Sequence, residues 1–239
     1  TEVAIQPPTD AINVRRNTLD TDAVCKHGLS NSLLEFEADN GYGSVAREIL
    51  PENDYPIIHN SCFFLPTTLD HVEQHKHLLR LYPNSYMVIS EPGRTRIDSD
   101  TRTIHINGTD EYDLLWHKTK GLWDLVANQV DSTFHQCKWF FKVDSDSFLN
   151  LHVIEQILAT YKTSQNHYVG WFNPGNLRGR NHLKWGPVKV AIGSFYGFTR
   201  SIMLHWEEWE QQNIYPWGLR YYKGEDTNVA MFLRDHGVC

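Results

Sequence analysis

The stretch KWFFKVDSDSFLN (138–150) joins an apolar run, Trp139, Phe140, Phe141 and Val143, to two acids, Asp144 and Asp146. Five mostly apolar residues in a row, rich in aromatics, read as a strand buried on both faces. A carboxylate at the exit of such a strand is costly unless a positive group compensates it or water reaches it. The stretch therefore predicts an interior strand whose carboxyl end carries either a site or a solvated polar turn.

The segments around it alternate. IIHNSCFFLP (57–66), SYMVIS (85–90) and RTIHI (102–106) read as strands, and TTLDHVEQHKHLLRLYP (67–83) as a helix with Thr68 as N-cap and Pro83 as its stop. EYDLLWHKTKGLWDLVANQV (111–130) carries Leu115, Leu122, Val126 and Val130 on one helical stripe. LHVIEQILATYK (151–162) is a helix behind the N-cap Asn150, and YVGWF (168–172) and VKVAIGSFYGF (188–198) are strand-like. Thr199 is expected to cap a helix to about Gln212, and 226–237 forms a last helix ended by Gly237. Alternating β and α segments predict an α/β fold with a mostly parallel, mixed sheet covered by helices on both faces. Sites in such sheets gather at the carboxyl ends of strands, where Asp144 and Asp146 lie.

Residues 1–55 are polar and irregular and read as a stem or flap, with one short helix expected near 43–49; residues 56–239 read as the catalytic-type domain. The chain has 239 residues, 41% hydrophobic and 21% charged, enough for one large domain. A formal charge of −7 argues against nucleic acid as a partner, and no apolar run is long enough to span a membrane. Thr1 in place of an initiator Met suggests a processed chain, and a terminal Cys239 suggests that the natural chain continues. Cys25, Cys62, Cys137 and Cys239 lack a C-x-x-C spacing and permit two disulfides in three connectivities. Together with the acceptor triplet Asn107-Gly108-Thr109 they favour a secretory compartment.

Two carboxylates spaced i, i+2 on a strand point the same way, and like charges that close require a proton or a cation between them. An oxygen-preferring divalent ion, Mn or Mg, would let an acidic protein hold a diphosphate. A calcium loop is excluded because Phe148 and Leu149 follow where further ligands would stand. A second acidic pair, Glu225 and Asp226, opens the last helix behind Gly224, whose missing side chain allows close approach or an unusual turn. An ionised Asp facing a cleft there would suit a general base.

WFFKVDSDSFLN resembles the W-F-x-K-x-D-D-D-x-[FY]-V signature of glycosyltransferase family 31, the group of core-1 β1,3-galactosyltransferases, β1,3-N-acetylglucosaminyltransferases and Fringe enzymes. YDLLWHKTKGLWDLV (112–126), VAIGSFYGFTRSIM (190–203) and GEDTNVAMFLRDHGV (224–238) are similar to three further family segments, in the same order. The resemblance spans about residues 57–238 and implies a GT-A-type fold, a UDP-sugar donor, Mn with Mg as substitute, and inversion at the anomeric carbon.

Carried across, it makes Asp146 the direct metal ligand. Asp144 becomes a metal-shell or ribose group, and Ser145 stands where the family has its middle Asp. Thr67, Lys118, Gly193, Ser194 and Glu225 join the donor site, and Asp226 is the catalytic base. The family's metal-ligating His lies downstream of the segment matched by 224–238, and His236 is a poor substitute because it sits in the same helix as Asp226. Ala230 also replaces a family Gly.

Among eight tryptophans, Trp171, Trp185 and Trp217 are expected to stack on acceptor sugars. Trp116, Trp123, Trp139, Trp206 and Trp209 are expected to pack in or over the core. The 171–187 segment reads as a flap whose Arg178, Arg180 and Lys184 are solvated, and the His71, His75, His77 group reads as a solvated helix face. The expected activity is transfer of a hexose, galactose first, from a UDP-sugar to the hydroxyl of a glycan or glycoprotein in β1,3 linkage, in the Golgi lumen. The rivals are a non-catalytic glycan-binding or chaperone module, favoured by Ser145, and the same fold using UDP-GlcNAc or a galactofuranose donor.

Overall fold

The computed structural model describes residues 55–111, 114–172, 191–212 and 224–238. All of them fall within one compact unit, Glu37–Cys239. The expected stem, its boundary near 55, the short helix at 43–49, the 171–187 flap beyond Phe172, Trp185, Trp217, Cys25 and Cys239 lie outside the described residues.

Seven strands form one sheet: β1 (Ser61–Pro66), β2 (Ser85–Glu91), β3 (Arg96–Asp98), β4 (Thr103–Asn107), β5 (Trp139–Val143), β6 (Tyr168–Phe172) and β7 (Ala191–Thr199). Their spatial order is β3-β4-β2-β1-β5-β7-β6. The pairs β4–β2, β2–β1 and β1–β5 are parallel, while β3 against β4, β7 against β5 and β6 against β7 are antiparallel. The sheet is therefore mixed, with a parallel centre and antiparallel margins on both sides. This is an α/β architecture of the GT-A type. Three of the six pairings are antiparallel, more than the sequence suggests: β3, with only Ile97 apolar, is too short and polar to read as a strand, and β7 and β6 run against β5 and each other at the opposite margin.

Helices cover both faces, as the near-continuous apolar strands require. On one face α3 (Leu115–Asn128), α5 (Arg200–Gln212) and α6 (Glu225–Asp235) bury Leu122, Trp123, Val126, Ile202, Trp206, Val229 and Phe232 against Phe64, Phe140 and Phe198. On the other face α1 (Pro56–His59) and α4 (Leu151–Leu158) pack with Leu78, Leu79 and Tyr82 over Phe63, Leu65, Trp139, Phe141 and Val143. Strand β5 feeds alternate residues to the two faces, so its aromatic run is consumed by both cores. Trp123, Trp139 and Trp206 are fully buried, as expected, while Trp116 and Trp209 pack at the core's edge.

Several local expectations change. The 57–66 segment splits into α1 and β1, because Pro56 starts a turn of helix and the Glu155 carboxylate accepts the N–H groups of Ile57 and Ile58 at 2.9 and 2.8 Å. The 67–83 segment is not one helix. It divides into 3-10 turns at Leu69–His71 and Lys76–Arg80 around the single-turn α2 (Val72–His75). Thr68 makes no cap; its hydroxyl pairs with His71 Nδ1 at 2.9 Å. Thr199 closes β7 instead of capping α5, and its hydroxyl donates to the Gln165 carbonyl at 2.7 Å. Asn150 does cap α4, its side chain accepting the Val153 N–H.

Two close contacts fix β5 against its neighbours. A Cβ at Gly197 would collide with the Phe141 ring of the paired strand, so this aromatic lies directly over bare backbone. Cys62 on β1 and Cys137 just ahead of β5 form a disulfide, with Cα atoms 5.6 Å apart and 75 residues between them in sequence. A link of that span removes much of the unfolded chain's freedom. Replacing both cysteines by serine is expected to lower unfolding free energy by about 2–5 kcal/mol, read as a lower denaturant midpoint.

Candidate functional site

The site forms where β5 leaves the sheet. Lys142 sits on the same face of β5 as Phe140 and is buried, which is costly for an ammonium group without partners. It has three. Its Nζ lies 2.5 Å from Glu225 Oε1, 2.5 Å from Asp144 Oδ1 and 2.5 Å from the Gly193 carbonyl. Burial alone would favour the neutral amine, but the Glu225 and Asp144 charges outweigh it and move the Lys142 pKa up.

Glu225 opens α6, where a helix N-terminus favours an ionised acid. Its Oε2 accepts from the Thr119 hydroxyl of α3 and from the Tyr196 hydroxyl of β7, the latter at 3.2 Å. Burial holds the Tyr196 phenol well above its ordinary value, which keeps it a donor. Gly193 approaches closely on the other side: a Cβ there would stand 3.2 Å from Glu225 Oε1 and 3.8 Å from both Asp226 Oδ2 and Lys142 Nζ, so the Glu225 carboxylate would have to give by a few tenths of an ångström to admit one. Gly224, by contrast, has an ordinary extended backbone and uses none of the freedom expected of it.

The two acids of β5 part company. The strand ends at Val143, the Asp144 N–H donates to the Ser194 carbonyl at 2.9 Å, and the Ser147 N–H closes a turn on the Asp144 carbonyl at 2.9 Å. The expected alignment from one pleat is therefore replaced by a turn: Asp144 faces Lys142, and Asp146 is exposed. Burial raises the Asp144 carboxyl, Lys142 pulls it back, and the Glu225 and Asp146 charges push it up again. Asp226 is raised as well, by burial first and by the Glu225 charge, against the Thr227 N–H that its Oδ1 accepts at 2.7 Å.

A cleft of about 390 Å³ opens beside this cluster, lined by Asp144, Ser145 and Asp146 on one wall and by Pro66, His71, Gln74 and His75 on the other. His71 and His77 are exposed, in keeping with the solvated face expected of the group, and His71 and His75 border the cleft. His75 is half-buried, with Nδ1 2.7 Å from the Thr67 hydroxyl, and burial lowers its pKa with help from His71 and His77 against Asp146. Thr67 is in turn held by Lys118, whose buried Nζ donates to the Thr67 carbonyl at 2.8 Å and pairs with Asp110. Lys118 therefore braces the exit of β1. Among the described residues no three His, Cys, Asp or Glu side chains converge as a ready-made metal site.

The structure thus brings Asp144, Gly193, Ser194, Glu225 and Asp226 together around Lys142. It places Asp146 on the adjoining cleft, Thr67 buried behind the His75 it bonds to, and Lys118 behind Thr67. Trp171 is 72% exposed on β6, two strand positions from β5, and joins none of these contacts. Sequence reading gave no role to Lys142, Thr119 or Tyr196. The available signal was Lys142 itself, a charge inside an aromatic strand two residues before Asp144 and so on the same face.

The mixed sheet with acids at an interior strand's carboxyl end is consistent with a GT-A-type fold. Residues 96–181, a little over a third of the chain, match the Fringe-like family model, a domain of the glycosyltransferase family 31 kind that the four ordered segments resemble. The match includes α3 and the β5 exit, while Gly193–Ser194 and Glu225–Asp226 lie beyond it and meet the same site in three dimensions. No curated protein matches the chain. Among the described residues no helix is long and apolar enough to cross a membrane.

Lys142→Met should strand the Glu225 carboxylate in its buried seat and cost about 3–5 kcal/mol of stability by chemical denaturation. Pairing it with Glu225→Gln should recover part of that loss, and an additive double variant would refute the coupling.

Proposed function

We propose that the chain is an inverting, metal-dependent transferase that moves galactose from UDP-galactose to a sugar hydroxyl of a glycan or glycoprotein, forming a β1,3 linkage. The observation that carries this reading is the meeting of Asp144, Gly193–Ser194, Glu225 and Asp226 around Lys142. These residues come from three remote segments, each of which resembles a different part of one family's pattern.

Charge supports a cation at this position. One ammonium, Lys142, faces the carboxylates of Asp144 and Glu225, with Asp146 and Asp226 close enough to couple electrostatically. Burial first, and the neighbouring Glu225 charge second, raise the Asp144 and Asp226 carboxyls, and a divalent ion would relieve the charge part of that cost. Asp146 is exposed and would be the direct oxygen ligand, with Asp144 in its outer shell. A single well-presented carboxylate plus diphosphate oxygens suits Mn or Mg, which need no all-protein cage. When bound, the cation supplies positive charge to the departing diphosphate.

The chain's own residues would do the rest. Asp226, ionised, takes the proton of the acceptor hydroxyl. The freed oxygen attacks the anomeric carbon on the face opposite UDP as the bond to the diphosphate oxygen breaks, its electron pair leaving with UDP. Lys142 and Glu225 keep Asp226 and Asp144 in fixed relation, so that the base and the donor anchor share one frame. Pro66, His71, Gln74 and His75 form the opposite side of the donor cleft, with Thr67 holding His75 from behind and Lys118 bracing Thr67. Trp171 offers an exposed indole to an acceptor ring, with Trp185 and Trp217 proposed in the same role. The disulfide fits an oxidising lumen, consistent with the secretory setting general to Fringe-like enzymes, and the Golgi is the proposed site.

Calorimetric titration with UDP should give binding that depends on Mn and weakens at least about tenfold in Asp146→Ala, a loss of roughly 1.4 kcal/mol. Asp226→Asn should retain that binding and lose about 10²–10⁴-fold in transfer. Unchanged turnover in Asp146→Ala sinks the metal reading, and Mn-independent UDP binding would do the same.

The rate should also depend on pH through Asp226. Only the ionised carboxylate accepts a proton, and burial moves its pKa up. Transfer should therefore fall off on the acid side at a higher pH than an ordinary carboxylate, about 4, would give, and a pH–rate profile measures where.

A further inference from the structure

We infer that Asn107 carries an N-linked glycan, set on the rim of the sheet that also carries the proposed cleft, three strands over from the Asp144 exit. The chain contains one Asn-x-Ser/Thr triplet with x other than Pro, Asn107-Gly108-Thr109. Such triplets arise by chance, so the sequence alone carries little. Four structural observations add to it.

Asn107 is the last residue of β4, and both it and Thr109 are exposed. Its Oδ1 accepts the Gly93 N–H at 3.2 Å, which orients the amide and leaves Nδ2 turned from that contact. A glycosylated amide keeps its carbonyl oxygen, so this bond can persist after modification. The surroundings are open as well. A Cβ built at Gly108 or at Gly93 would meet no heavy atom within 4 Å, so the backbone on either side of the Asn107 amide is open. Finally, the Cys62–Cys137 disulfide marks a chain that matures in an oxidising lumen, where this modification occurs.

The chemistry is a transfer onto the protein, with the chain as acceptor. Nδ2 of Asn107 forms a bond to the anomeric carbon of a lipid-diphosphate oligosaccharide. The anomeric carbon–oxygen bond breaks, its electron pair leaves on the lipid diphosphate, and one amide proton is released. Position makes the product compatible with function. Both β4 and β5 end at the same rim, but β2 and β1 lie between them. Three strand spacings separate Asn107 from the Asp144 exit by roughly 14 Å. The glycan would flank the cleft without filling it.

The test expresses the full chain with a lumen-directing signal in a eukaryotic cell and treats the total cellular and secreted material with an amide-cleaving endoglycosidase. One discrete downward step in mass is expected for the wild type, together with conversion of Asn107 to Asp in the released peptide. The step should vanish in Asn107→Gln and in Thr109→Ala, and remain in Thr109→Ser. Absence of any step in the wild type, in cells that modify a reporter triplet, overturns the assignment. A step that persists in Asn107→Gln overturns it equally.

Discussion

A buried ammonium is the constraint on which this structure turns. Lys142 occupies a position in β5 where both neighbours, Phe141 and Val143, point into a closed core. Left alone, its charge would cost several kcal/mol or be lost by deprotonation. Glu225, Asp144 and the Gly193 carbonyl remove that penalty together, and in doing so they tie the exit of β5 to the start of β7 and the first turn of α6. No two of these three segments are neighbours in sequence. Their relative placement is therefore set by charge compensation as well as by apolar packing, and packing alone would tolerate small slides that charge does not. Chemistry that depends on an acid in α6 and an acid after β5 needs that kind of fixity.

The same constraint explains why glycine stands at 193. The Lys142–Glu225 pair passes so close to the β7 backbone that a methyl group would press on Glu225 Oε1. Displacing the carboxylate would weaken its contacts with Thr119 and Tyr196 as well, since both converge on Oε2. A single missing Cβ thus protects a five-membered network. Thr119 belongs to α3, whose other buried residues, Leu122, Trp123 and Val126, anchor it against the sheet, so the polar cluster is continuous with the larger of the two cores.

How far the sequence reveals this depends on range. β5, β6, α4 and its Asn150 cap were legible because apolar runs and a capping residue are local signals, and α3 was legible from its stripe. The 57–66 segment misled because the group that turns Pro56–His59 into helix, the Glu155 carboxylate, lies nearly a hundred residues away. At 67–83 the apolar residues follow no clean helical stripe, and Leu78, Leu79 and Tyr82 reach the core only because the backbone tightens into 3-10 turns. The site divides the same way. Its acids were visible as pairs, D-x-D and E-D, but their mutual arrangement was not. The sequence period implied two carboxylates side by side, whereas the turn after Val143 commits Asp144 to Lys142 and turns Asp146 out.

That division of labour between the two acids bears on Ser145. In a pattern with three consecutive acids the middle residue could share a cation with either neighbour, and its loss reads at first as a weakening of metal chemistry. Here Asp144 is already neutralised by Lys142 to within hydrogen-bond contact, and its N–H is held by the Ser194 carbonyl, so it serves as the fixed base of the turn. The turn presents whatever follows it. Asp146 inherits that presentation and faces a cleft whose far wall is built of His71, Gln74 and His75. A carboxylate at 145 would add a further negative charge to a cluster in which burial already raises Asp144 and Asp226. A neutral hydroxyl does not. Ser145 is thus compatible with a working acidic site, because the negative charge gathered there is set by Asp144, Glu225, Asp226 and Asp146 and does not depend on the middle position.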